Sequence, residues 1–349
     1  MKLQPSVSWS KSIIVFFSIL TISSFACMPI YMAAPSTASP QGAGDTAAPS
    51  TPAGDTAAPA DAEGLVKRGL EHRASGEFDL AIADFNQAIQ LKPDYEDAYV
   101  YRGLAYFDQG DYDHALTDFN KAIELKPDDE YAYNDRGTAY SAKGDFDPAI
   151  ADYEKAMQIN PKYEEPWYNR GVAYADLEKY DLAIADFDKA IQLKPDFEFA
   201  FYSRGQTYYL KGDFKRAIED EDKAIQLVPT DADPFNIRCA AKTSKGDFDA
   251  AIKDCDQAIQ LNPEYSNAFK NRGRANAGKG EQETALADFN KAIELKADYS
   301  EAYYYRGLTY LALQKKDLAS ADFKKVVELD NAPNWVTKAQ AELKKLGVQ

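Results

Sequence analysis

The chain has 349 residues, with 56 acidic against 40 basic side chains and a formal net charge of −16. That balance argues against a nucleic-acid partner, whose phosphates it would repel. Length alone allows two domains, and 23 tyrosines and 18 phenylalanines supply material for a core, while histidine is limited to His72 and His114.

Residues 1–26 carry Lys2 and Lys11, an apolar run from Ile13 to Leu20, and a small-residue end at Ser24, Phe25 and Ala26. This resembles an export signal. Cys27 directly after it resembles a bacterial lipoprotein acylation site, although Ser24 stands where an aliphatic residue is usual. A cleaved, soluble exported protein and an uncleaved anchor are the other readings, since no charge falls between Ser12 and Gly44. All three place the folded part outside the cytoplasm, periplasmic or on the cell surface, with a membrane-tethered lipoprotein the leading expectation.

Residues 27–61 form a second zone. From Ala33 to Ala60 the chain is almost entirely Ala, Pro, Ser, Thr, Gly and Asp, and the segment Ala43–Pro49 is duplicated at Ala53–Pro59. Such a composition cannot bury enough apolar surface to offset the entropy of ordering, so the reading is a linker. It suits a tether, and equally an inert spacer.

From residue 62 to 333 the sequence matches itself every 34 positions, which predicts a solenoid of stacked units. Pro93, Pro127, Pro161, Pro195, Pro229 and Pro263 keep step, with Ala297 in the seventh place. Arg68, Arg102, Arg136, Arg170, Arg204, Arg238, Arg272 and Arg306 recur at all eight steps, as do eight aspartates from Asp84 to Asp322. Within one copy, Ala98, Tyr99, Gly103 and Tyr106 fall at helical spacing. A turn follows at Gln109–Asp113, then Ala115, Leu116, Phe119, Ala122, Ile123 and Leu125 resume the period until Pro127 stops it. Each copy therefore reads as an antiparallel helix pair whose apolar face must be covered by a neighbour.

The spacing of Tyr99, Gly103, Tyr106, Ala115, Phe119, Ala122 and Pro127 resembles the tetratricopeptide repeat. The resemblance covers eight repeats and implies an all-α solenoid, a right-handed superhelix of antiparallel helix pairs. Residues 334–349 then read as a C-terminal capping helix, with Trp335, Leu343 and Leu346 toward the last repeat and lysines outside.

In antiparallel helices, residues whose numbers sum to a constant lie level. Arg102 and Asp118 are level to within one residue, which predicts an Arg–Asp pair inside each hairpin or between adjacent ones. A charged recognition ladder is the functional alternative. Cys239 and Cys255 take the places of Gly103 and Phe119 in their repeat, level with one another where helix backbones approach. A disulfide is the leading expectation; two buried thiols are the alternative, and the absence of a CxxC or further ligands disfavours metal or redox chemistry. Glu221 stands where Phe119 stands, and is expected either to pair with Lys242 or to reach solvent. Lys242, Asn276, Gln282 and Ala297 also depart from the repeat, so residues 232–299 are expected to be the least stable stretch.

In the resembled family the first helices line a concave surface that binds extended peptides or partner helices. That implies a groove at Tyr131, Asn134, Thr138, Tyr168, Phe199, Tyr202, Gln206 and Tyr209, continuing to Lys270, Arg274, Tyr304, Leu308 and Leu311. Rings would cover apolar side chains and amides would bond the peptide backbone. The chaperone-tail clamp of the family is not matched: Lys270 fits its first place, but Arg274 stands where an Asn belongs, and Glu301 and Tyr305 follow. No GxSxG, HExxH or phosphate loop is present. The function expected is a non-enzymatic scaffold for a protein or peptide partner in the cell envelope, with no cofactor and no metal. The alternative is a structural repeat protein that assembles with itself.

Overall fold

The computed structural model describes residues 61–348, so the export, acylation and linker readings, Cys27 included, lie outside the described residues. The described residues are all-helical, with seventeen helices from α1 (Ala62–Ala74) to α17 (Pro333–Lys345) and no strand among them. They fall into two units, residues 61–161 and 162–348. The first holds three hairpins: α1 with α2 (Phe78–Leu91), α3 (Glu96–Asp108) with α4 (Tyr112–Leu125), and α5 (Glu130–Ala142) with α6 (Phe146–Ile159). In the second, α7 (Glu164–Asp176) pairs with α8 (Tyr180–Leu193), and α9 (Glu198–Leu210) with α10 (Phe214–Leu227). Then come α11 (Ala232–Lys245) with α12 (Phe248–Leu261), α13 (Ser266–Lys279) with α14 (Gln282–Leu295), and α15 (Ser300–Ala312) with α16 (Lys316–Leu329). Inside each unit an odd-numbered helix also touches the next odd-numbered one, as α1 touches α3 and α11 touches α13.

The turn between helices has one recipe. Gly110 takes φ +82°, its N–H bonds to Phe107 O, and Asp111 N–H bonds to Tyr106 O; at this turn and at Asp213 a carboxylate also caps the second helix, here through His114 N–H. At the equivalent turns Glu178 and Gln314 are forced to φ +57° and +61° without the freedom of glycine.

Packing follows from one close approach. A Cβ added to Gly103 would lie 2.8 Å from the Phe119 ring, and the ring is fully buried on that bare backbone. Gly69, Gly137, Gly171, Gly273 and Gly307 meet Phe85, Tyr153, Phe187, Phe289 and Phe323 in the same way. Each such ring contributes about 1.5–3 kcal/mol by leaving water.

The arginines and aspartates pair within every hairpin. Arg102 Nε and Nη2 donate to the two Asp118 oxygens at 2.7 and 2.6 Å, and the pattern repeats from Arg68–Asp84 to Arg306–Asp322. The guanidinium also reaches backward: Arg102 Nη1 donates to Asn86, Arg136 to Asn120, Arg204 to Asp188, Arg238 to Asp222, Arg272 to Asp256 and Arg306 to Asn290. The repeat Arg–Asp pair thus lies inside the hairpin, while the bond to the preceding hairpin goes to an Asn or Asp two residues beyond that hairpin's repeat aspartate, both held by one planar fork.

Hairpins α9–α10 and α11–α12 lack the aromatic key. Cys239 and Cys255, both fully buried, are joined at Sγ with Cα atoms 5.5 Å apart. Glu221 contradicts both expectations: it is fully buried, its oxygens have no hydrogen-bond partner, and Lys242 Nζ instead holds Asp254 at 2.7 Å. The backbone register puts the Glu221 side chain toward Gly205 rather than toward Lys242. Lys242 and Asn276 replace a tyrosine with a donor to the repeat aspartate, Asn276 reaching Asp288 at 2.9 Å. These bonds supply polar contacts where the ring is missing.

Candidate functional site

The odd-numbered helices carry all the groove positions implied by the repeat, and each unit holds its own set. In the first unit Tyr131 is exposed at 48%, while Asn134 and Thr138 are buried, Thr138 Oγ1 donating to the Asn134 carbonyl. Only Tyr131 of the three offers an open surface there.

In the second unit, Tyr168, Phe199, Gln206 and Tyr209 are half-buried and Tyr202 is buried. Tyr168 lies on the Phe197 and Phe187 rings, with centroids 5.1 and 5.8 Å away, and its hydroxyl is 3.3 Å from Ser203 Oγ. Phe199 meets Phe197 edge to face. Tyr209 packs on Phe214. Tyr168, Phe199 and Tyr209 are thus held by core rings while remaining part-exposed, which suits apolar contact with a ligand at low entropic cost.

Further along, the positions are committed to internal contacts. Lys270 is buried and ion-paired with Glu301 at 3.1 Å. Arg274 sits 4.9 Å from the Tyr305 ring centroid and donates to Asn271. Burial works against its charge, but Tyr305, Tyr209 and Glu301 outweigh it, so its pKa is raised. The two cations are therefore neutralised or stacked rather than offered to an acidic ligand. Tyr304, Leu308 and Leu311 belong to the cluster that Trp335, Leu343 and Leu346 of the C-terminal segment complete, with Tyr304 5.1 Å from Trp335.

Between these zones α11 is lined by small or polar residues. Tyr265 donates to Asp233, Asn236 donates to the Tyr265 hydroxyl at 3.2 Å, and Asn271 to Asn236 at 2.8 Å. Burial raises the Asp233 pKa to about 6, against the lowering effect of the Tyr265 bond. This network was not read from the sequence; Asn236 and Asn271, one repeat plus one residue apart, were its only signal. Two concavities of about 480 and 360 Å³ lie elsewhere, at hairpin turns around Lys215 and Lys245 and around Tyr112 and Lys143. Among the described residues no cluster of three or more His, Cys, Asp or Glu could hold a metal ion, and no helix is long and apolar enough to cross a membrane.

Three family models of the tetratricopeptide repeat match the chain. One matches residues 69–110, 103–144, 137–178 and 277–314, a second residues 165–197, and a third residues 200–231, 241–265 and 300–333. No curated protein matches the sequence. Among solved structures, the hetero-tetramer of Cut9 and Hcn1 is similar at TM-score 0.58 and 17% identity, covering 79% of this chain; the chain spans 55% of that one's length. A tetratricopeptide repeat protein from Parabacteroides merdae ATCC 43184 is similar at TM-score 0.58 and 20% identity, covering 70% of this chain and 96% of that one. YrrB, described as a repeat protein with an unusual peptide-binding site, is similar at TM-score 0.47 and 25% identity, over 56% of this chain and 97% of that one.

Proposed function

We propose, for a chain that is a tandem array of tetratricopeptide repeats, the function of a non-enzymatic scaffold that holds a peptide or a partner helix against its odd-numbered helices. The observation that carries this reading is the half-buried strip of Tyr168, Phe199, Gln206 and Tyr209 in the second unit. Rings anchored by the core and an amide between them match an extended segment with alternating apolar side chains and free backbone groups. Beyond it, Lys270 is paired with Glu301, Arg274 stacks on Tyr305, and Tyr304, Leu308 and Leu311 pack with Trp335.

The site of action we propose is outside the cytoplasm, with the N-terminus as a tether. The start of the chain, with Lys2, Lys11, the run from Ile13 to Leu20 and Cys27, supports export and lipidation. The Cys239–Cys255 bond supports an oxidising compartment. Metabolic labelling with a radioactive fatty acid tests the anchor: label lost on Cys27→Ala supports it, and label absent from the unaltered chain contradicts it.

The binding face is tested by comparative capture from the native envelope fraction with the full chain as bait. Phe199→Ser with Gln206→Ala, checked for an unchanged helical content, is expected to lose the captured partner, whereas Leu80→Ser on the exposed side of α2 is expected to keep it. Equal capture by all three baits contradicts the groove. Light scattering over a dilution series addresses self-assembly, the alternative reading; a concentration-independent monomer is the expected result.

A further inference from the structure

Glu221 occupies the one described hairpin in which the repeat glycine faces a carboxyl instead of a ring. Its side chain is fully buried and neither oxygen has a hydrogen-bond partner. The contact is intimate: a Cβ at Gly205 would lie 2.5 Å from Glu221 Oε1, so the carboxyl rests directly on the backbone of α9. The equivalent places in the flanking hairpins hold Phe187 and Cys255, both apolar. A neutral carboxyl is tolerated in such a place, but an ionised one without a partner is not.

The surroundings give an ionised form little help. On α10 its neighbour is Asp220, engaged by Arg204 of α9. On the α11 side stand Asp231, which caps that helix, and Asp233. Arg238 is the cation there, and it is spent on Asp254 and Asp222. Burial first, then the charges of Asp220, Asp233 and Asp231, push the Glu221 pKa well above its ordinary range, and Arg238 only partly opposes them. Lys242, the partner expected from the repeat scheme, is held by Asp254, and Lys223 on α10 donates to Gln226.

We propose that the α9–α10 hairpin is a pH-responsive joint, closed with the Glu221 carboxyl protonated and opened progressively more often as rising pH lets that carboxyl ionise in the opened form. Opening the hairpin lets the carboxylate reach water, at the expense of the contact between α9 and α10. The sign follows from linkage. A carboxyl in the opened chain titrates near 4.3, so below that pH both forms are protonated and Glu221 costs nothing extra. As pH rises above it, the opened form gains by ionising while the closed form stays neutral. The opening constant then grows up to about tenfold per pH unit until the closed form also ionises.

The test compares amide hydrogen exchange of α9 and α10 in the full chain and in Glu221→Gln at matched pH, so that the intrinsic rate cancels. The ratio of exchange rates, unaltered chain over variant, is expected to be lowest at pH 4.5, at about threefold or less, and to climb between pH 5 and 9 by up to tenfold per unit. Amides of α15 and α16 are expected to show a ratio near one throughout. Glu221→Phe, which restores the residue of the neighbouring hairpins, is expected to behave like the glutamine variant and covers the case in which that variant folds poorly. A ratio that stays flat across the range, for both variants, overturns the proposal.

Discussion

Arg102 grips Asp118 with two parallel hydrogen bonds of 2.7 and 2.6 Å across one hairpin, and the aspartate is 3% exposed. Desolvation raises the Asp118 pKa, and the Arg102 bonds and charge oppose that rise. A buried pair of this kind adds little net stability, yet removing one partner strands the other. Arg102→Met is therefore expected to cost about 3 kcal/mol, while Arg102→Met with Asp118→Leu recovers most of it. Urea denaturation of the single and double variants reads the difference; equal losses in both would show that the carboxylate does not depend on its arginine.

Glu178 and Gln314 adopt φ +57° and +61° where six equivalent turns use glycine. A side chain in that left-handed region costs about 1 kcal/mol. Glu178→Gly and Gln314→Gly are each expected to raise stability by up to about 1 kcal/mol, read as a higher urea midpoint. Unchanged midpoints would mean that their side chains compensate locally.

Gly103 allows the Phe119 ring to lie on the α3 backbone, with 2.8 Å left for a Cβ. Gly103→Ala is expected to destabilise by about 1–3 kcal/mol through overpacking, despite alanine's better helix propensity. Gly103→Ala with Phe119→Leu is expected to recover part of that loss, since the shorter side chain leaves room. A more stable single variant would contradict the close approach.

The Cys239–Cys255 bond closes a loop of 16 residues in a hairpin that lacks an aromatic key. Restricting such a loop in the unfolded chain contributes about 3 kcal/mol. Replacing both cysteines by alanine is expected to lower the stability of α11 and α12 selectively, seen as faster amide exchange there than in α7 and α8. Thiol titration of the denatured, unreduced protein is expected to find no free thiol from these two positions.

Much of this fold could be read from the chain because a period of 34 without insertion puts equivalent side chains in equivalent places. The Arg–Asp pairing and the cysteine contact follow from levels within one hairpin, which numbering alone determines. The backward reach of Arg204 to Asp188 needed the tilt between neighbouring hairpins, which numbering does not contain. The place of Glu221 escapes numbering for the same reason: Lys242 is close in the repeat scheme, but its amine is drawn to Asp254, and the carboxyl lies against Gly205. Among the groove positions, burial of Asn134, Thr138, Tyr202 and Lys270 could not be foreseen, because it depends on contacts between neighbouring hairpins.

The proposed scaffold function depends most on which face meets the partner. Hydroxyl-radical footprinting of the full chain, free and bound to the captured protein, reports this directly on aromatic rings. Reduced labelling of Phe199 and Tyr209 in the complex, with Tyr180 and Phe248 at the starts of even-numbered helices unchanged, is the predicted result. Protection confined to the even-numbered helices, with Phe199 and Tyr209 labelled as in the free chain, would contradict it.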